Sequence, residues 1–159
     1  MSKSTRNTNT GPLRLALVSR NRAVPVRDFD EAEALIRRDS METDFNLEIE
    51  AASSSGKQPS RFEIWVYRFL GAPLEDDVRR ISVCANQGVA LVVYEQNDRE
   101  YVPHPEGGDD NVSIQMHTGA GEPFLVPKRD CIPVLDAIEL AREFIGTRRR
   151  PKAVAWIAS

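Results

Sequence analysis

Apolar positions recur along this chain with two different periods, and the changes of period divide it into elements. Leu13, Leu15 and Leu17 alternate with Arg14 and Ala16, which is the spacing of a strand, and residues 23–26 predict a short extended piece whose Pro25 suits an edge. At Asp28 the period changes. Asp28-Phe29-Asp30-Glu31 has the form of a capping box, in which Asp28 accepts from the Glu31 amide while Glu31 reaches back. Phe29, Ala32, Leu35 and Ile36 then share one helical face, and Arg37 and Arg38 fall where a helix C-terminus favours cations. The pattern predicts a helix from about Phe29 to Asp39.

Alternation returns with Phe45, Leu47 and Ile49 against Asn46, Glu48 and Glu50, a strand with one wet face. Residues 53–60 read as a loop, and residues 62–69, rich in β-branched and aromatic types, as a buried strand followed by a break at 71–77. Ile81–Ala85 and Val89–Tyr94 flank Asn86-Gln87-Gly88 and predict a hairpin in which Gly88 supplies a positive φ. Residues 97–111 show no apolar period and read as a surface loop. Two further strands are expected at 112–116 and 124–126, joined through Thr118-Gly119-Ala120-Gly121.

The last part carries the clearest helical spacing: Val134, Ala137, Ile138, Ala141, Phe144 and Ile145 recur at steps of three and four. Pro133 suits the first turn and Gly146 a left-handed C-cap. Arg148-Arg149-Arg150-Pro151 makes a turn, and residues 153–157 a final strand. Strands in succession, bracketed by two helices, predict an α+β fold with a mainly antiparallel sheet and the two principal helices packed on one face. The expected organisation is a flexible arm over residues 1–11, rich in Ser, Thr and Asn, and a single domain over residues 12–159.

Composition changes this picture only where it is uneven. Net charge is -3, yet residues 1–27 hold six bases and no acid, residues 28–50 nine acids and two bases, and residues 95–122 seven acids and one base. The two cysteines, Cys84 and Cys131, lie beside apolar residues, as reduced buried thiols do in cytoplasmic proteins. Neither a secretory signal nor a membrane-spanning apolar run is visible, which makes the cytoplasm the expected compartment.

The chemistry-bearing residues point away from catalysis. Cys84 or Cys131 with His104 or His117 would be the thiol-imidazole combination, but Cys84 falls in an expected central strand and Cys131 just ahead of a helix. The same four residues lack the paired spacing of a zinc site, and the acids near Asp109 lack the ligand pattern of a calcium loop. No catalytic, cofactor or metal site is therefore expected. Arg148 to Lys152 forms a basic cluster without interleaved aromatics. Two alternatives stay open: a small cytosolic enzyme using Cys84 or His104, and a nucleic-acid-binding module using residues 1–27 and 148–152.

The string Ile132-Pro133, a helix ending Glu143-Phe144-Ile145-Gly146-Thr147, then Arg150-Pro151, Val154 and Trp156, resembles the C-terminal signature of the type-one family of bacterial polymorphic-toxin immunity proteins. Upstream, the acidic-capped helix, the strand Gly88 to Tyr94 and Tyr101 are similar in a looser way. The triple Arg148-Arg149-Arg150 departs from the family pattern, which has a small residue near this turn. The resemblance implies a non-enzymatic inhibitor that binds a cognate toxin domain, often one acting on nucleic acid, such as a deaminase or nuclease. Such a toxin would carry a basic cleft. The acidic stretch is then the expected partner surface, with Glu95, Asp98, Glu100, Tyr101, Glu106, Asp109 and Asp110 as contacts, while Pro133, Phe144, Gly146, Arg150, Pro151 and Trp156 are expected to build scaffold.

Overall fold

The computed structural model describes residues 13–51, 78–104 and 111–159. The expected arm, the loop at 53–60, the strand at 62–69 and the break at 71–77 lie outside them. Within them the chain runs β1 (Leu13–Ser19), β2 (Arg22–Val24), α1 (Phe29–Asp39), β3 (Phe45–Ala51), β4 (Arg79–Asn86), β5 (Val89–Gln96), β6 (Arg99–Pro103), β7 (Ser113–His117), β8 (Pro123–Pro127), a short 3-10 turn at Lys128–Asp130, β9 (Ile132–Pro133), α2 (Val134–Thr147) and β10 (Trp156–Ala158).

One sheet has the order β10-β6-β5-β4-β3-β1-β2, with β9 beside the start of β5, and every pairing among the described strands is antiparallel. Its tight turns explain the register. Arg20 and Asn21, Gln87 and Gly88, and Asn97 and Asp98 all have positive φ, the conformation that lets a two-residue turn follow the strand twist. Gly88 behaves as its neighbours in sequence suggested, but Gln87 shares the strain.

Both helices pack on the same face. Ala32 and Ile36 of α1 join Ala137, Ile138, Leu140, Ala141 and Phe144 of α2 over Leu47, Ile49, Ile81, Val83, Val92 and Tyr94 of the sheet. Full burial of side chains of this size stabilises by roughly 1.5–3 kcal/mol each, so this layer dominates the fold. The helices are also tied to each other: the Arg142 guanidinium lies 5.2 Å over the Phe29 ring and pairs with Glu33. At the start of α1, Asp28 accepts from Glu31 N at 2.9 Å, as the capping box requires. Glu31 reaches one residue further back than expected, to the amide of Arg27 at 2.7 Å.

On the opposite face, β7 and β8 form a separate two-stranded sheet that roofs one end. Ile114, Met116 and Val126 bury Cys84 there, with Val89, Leu91, Phe124 and Cys131 packed around them. The expected wet face of β3 is thus wet only in part, since Asn46 is buried.

Three further expectations need correction. The stretch 97–111 is not all loop: β6 lies in it, sustained by pairing to β5 on one side and β10 on the other. Gly146 is not the left-handed cap but sits inside α2; Arg148 takes that conformation at φ 57 and ψ 24, with its amide donating to Phe144 O at 2.7 Å. Arg79 Nη1 donates to Arg148 O at 2.9 Å and the Arg148 side chain to Ile145 O, so tertiary bonds hold the strained residue in place. The final strand begins only at Trp156.

Candidate functional site

Because side chains alternate across a strand, the residues between the core positions of β3, β4, β5 and β6 meet on the face away from the helices. Register fixes which of them are neighbours. Glu50 lies opposite Arg80, Arg80 opposite Glu95, and Glu95 opposite Glu100, with Arg14 beyond Glu50. Arg80 bridges the row, with Nη2 3.0 Å from Glu50 Oε2 and Nη1 3.3 Å from Glu95 Oε2. These pairs are partly exposed, so each contributes at most about 1 kcal/mol, and they orient the carboxylates more than they stabilise the fold.

The next row contains Glu48, Ser82 and Val93 in register. Farther along, Val102 lies opposite Ile157, which is 41% exposed. A small apolar patch therefore sits beside a row of carboxylates, on the part of the sheet that neither helix nor the β7–β8 hairpin covers among the described residues. The hairpin bounds it closely: a Cβ on Gly119 would fall 2.5 Å from Glu48 Oε1, so the turn needs glycine to pass the acid. Asn46 Nδ2 donates to His117 O at 3.2 Å and Asn86 Nδ2 to Gln115 O at 2.8 Å, fastening the hairpin down.

The structure divides the residues expected to contact a partner. Glu95 and Glu100 are neighbours on this open face, and Asp98 is exposed in the turn that joins their strands. Tyr101 is on the other side, with its ring 6.2 Å from that of Tyr94 and beneath the Arg150 guanidinium at 4.5 Å. Glu106, Asp109 and Asp110 lie outside the described residues. Glu48, Glu50, Arg80, Val93, Val102 and Ile157 were not singled out in the sequence. The alternation of β3 already put Glu48 and Glu50 on its wet face, but only the register shows that the six adjoin.

The residues of the C-terminal string come together as well. Pro133 pairs with Val89 and directly precedes α2, and Phe144 is fully buried at 6.0 Å from Tyr94, edge to face. Pro151 is buried, and its carbonyl accepts from Trp156 Nε1 at 2.7 Å. Trp156 packs 6.1 Å from Tyr94. Gly146 has open space around it.

The thiols are poorly placed for nucleophilic work. Burial pushes the Cys84 thiol up to about 11, against a smaller opposing effect of the Asn46 amide, which donates to its sulfur at 3.1 Å. Burial likewise pushes Cys131 up to about 11. His117 Nδ1 lies 3.0 Å from Asp44 Oδ2, and His104 follows the last residue of β6. Among the described residues no three His, Cys, Asp or Glu side chains group as a metal site would require, and no helix is long and apolar enough to cross a membrane.

No curated protein matches the chain. The family model described as immunity protein Imm1 matches residues 20–158, from the turn after β1 to the last residue of β10. With that match spanning nearly the whole of the sheet, both helices and the C-terminal string, the chain belongs to the Imm1 family of immunity proteins.

Proposed function

We propose that this protein binds and neutralises a cognate bacterial toxin domain with a basic surface, one that acts on nucleic acid as a deaminase or nuclease does, and that it acts in the cytoplasm without catalysing a reaction. Family membership supports the immunity role. The observation that carries the reading of a basic partner is the sheet face away from the helices, where Glu50, Glu95 and Glu100 line one side of a row that holds Glu48, Val93, Val102 and Ile157. Apolar residues within a charged rim are the usual anatomy of a protein contact, and carboxylates complement a cleft built to hold phosphate. Such complementarity raises the association rate by tenfold or more at low salt.

The test is co-expression with the toxin domain encoded beside the gene, scored by survival and by isolation of the complex. Protection with a stable complex supports the reading; no protection and no complex overturns it. Reversal of Glu95 and Glu100 to Lys is expected to slow association about tenfold or more and to flatten its dependence on salt. Unchanged kinetics would remove the electrostatic component and the open face with it. Reversal of Asp109 and Asp110 to Lys examines the neighbouring acidic stretch in the same assay.

A further inference from the structure

On the helix side of the sheet, beyond the end of α2, a cavity of about 680 Å³ is lined by Arg79, Tyr94, Gln96, Tyr101, Arg149, Arg150, Pro151, Lys152, Val154 and Trp156. Its position follows from the fold. The left-handed residue Arg148 stops α2 short of the sheet edge, and the Trp156 indole holding Pro151 O brings the chain back along the rim. What remains is a hollow floored by aromatic rings and walled by four cationic side chains, with no acid among the described residues that line it. Glu95 and Glu100 belong to the other face.

A helix C-terminus would ordinarily repel an anion, but here several of its carbonyls are already engaged. Arg79 donates to Arg148 O, the Arg148 side chain to Ile145 O, Arg148 N to Phe144 O and Thr147 Oγ1 to Glu143 O. Arg149, Arg150 and Lys152 make no ion pair among the described residues. By contrast, Arg27, Arg37, Arg38, Arg80 and Arg142 each have a carboxylate partner. Three adjacent unpaired cations in a chain with more acids than bases repel one another, and an oxyanion relieves that repulsion. Arg150 is also held in place, since its guanidinium lies 4.5 Å from the Tyr101 ring centroid while the residue stays exposed at the cavity wall.

We propose that this cavity is a binding site for a small phosphorylated ligand carrying a planar ring, of the chemical class of a nucleoside monophosphate. Arg149 and Lys152 hold the phosphate, and the ring lies against Arg150 and Trp156. The volume falls within the range of small-ligand pockets, roughly 300–1,000 Å³. The site is on the opposite side of the sheet from the proposed toxin contact and stands whether or not that contact is correct.

The experiment is calorimetric titration of the full chain with adenosine 5′-monophosphate, adenosine, inorganic phosphate and a single-stranded oligonucleotide in separate arms. The monophosphate is expected to bind, with adenosine and phosphate each weaker by about tenfold or more, because each lacks one half of the recognition. The Arg149→Glu, Lys152→Glu double variant is expected to lose at least about tenfold while keeping the thermal midpoint of the parent, since both side chains are exposed. Arg150→Ala reports the stacking half separately, by weakening the monophosphate and leaving inorganic phosphate unaffected. Absence of monophosphate binding at millimolar concentration overturns the proposal, as does binding that the double variant retains. Adenosine as tight as the monophosphate overturns the phosphate assignment, and an oligonucleotide binding much more tightly than the mononucleotide overturns the small-ligand class in favour of a nucleic-acid surface.

Discussion

Asn46 donates its side-chain amide to the sulfur of Cys84 at 3.1 Å, across β3 and β4 and beneath the β7–β8 hairpin. The same amide reaches His117 O, so one polar side chain at a buried strand position joins the two sheets. Asn46→Ala is expected to cost about 1–3 kcal/mol in urea unfolding, because the carbonyl and sulfur lose their donor in a dry site. Asn46→Asp should be worse at neutral pH, with a carboxylate buried against acceptors. Its pKa would be raised, so the variant regains stability as pH falls toward 4 and below. Equal stability of the two variants across that range would rule out the role given to the amide.

The two thiols set a limit on the alkaline side. Each is raised from 9.0 to about 11 by burial, so the folded chain holds its protons where the unfolded chain releases them. The Cys contribution to stability is complete below pH 9 and is lost as pH rises from 9 to 11, with a slope approaching about 1.4 kcal/mol per pH unit for each thiol. Denaturation curves at pH 8, 9 and 10 for the parent and Cys84→Ala measure it; a parent slope no steeper than the variant's would contradict the buried, protonated thiol. Disulfide reagents at pH 8 should modify Cys84 rapidly only after unfolding.

Gly146 offers a stabilising change. It lies within α2, it is exposed, and a Cβ there meets nothing within 4 Å. Gly146→Ala is expected to raise stability by about 0.5–1 kcal/mol. A loss of stability would mean that the last turn of α2 needs the freedom of glycine after all.

Phe144 is the opposite case. It is fully buried, and its ring meets Tyr94 edge to face at 6.0 Å. Phe144→Ala should cost about 3–5 kcal/mol, with Phe144→Leu well below that, in the same unfolding assay.

Ile157→Asp separates binding from folding on the open face. The residue is 41% exposed in the middle of the edge strand β10, so its replacement is expected to change the thermal midpoint little while weakening the toxin complex by about tenfold or more. Parent-like affinity would move the contact away from this strand.

The fold was legible where local chemistry decides it. Asp28 and Glu31 announce α1, the steps from Val134 to Ile145 announce α2, and Gly88 marks the hairpin, because caps, helical faces and positive φ act within a few residues. It was not legible where distant chain decides. Residues 99–103 hold too few apolar side chains to read as a strand, and become one because β5 and β10 supply hydrogen bonds on both sides. Arg148 is left-handed although Gly146 is the better local candidate, because Arg79, 69 residues away, secures its carbonyl. The same reason hides the sites. Glu95 and Glu100 could be named as exposed acids, but Tyr101 could not be assigned to the other side without the register, and the cavity walls come from β4, β5, β6 and the segment after α2.

β6 is therefore a shared element. Glu100 and Val102 belong to one side of it and Tyr101 and Pro103 to the other, on a strand only five residues long. Both surfaces hang on one short backbone, and thermodynamic linkage follows from that geometry: whatever orders the strand from one side lowers the entropy cost of engaging it from the other, by the same free energy in either direction.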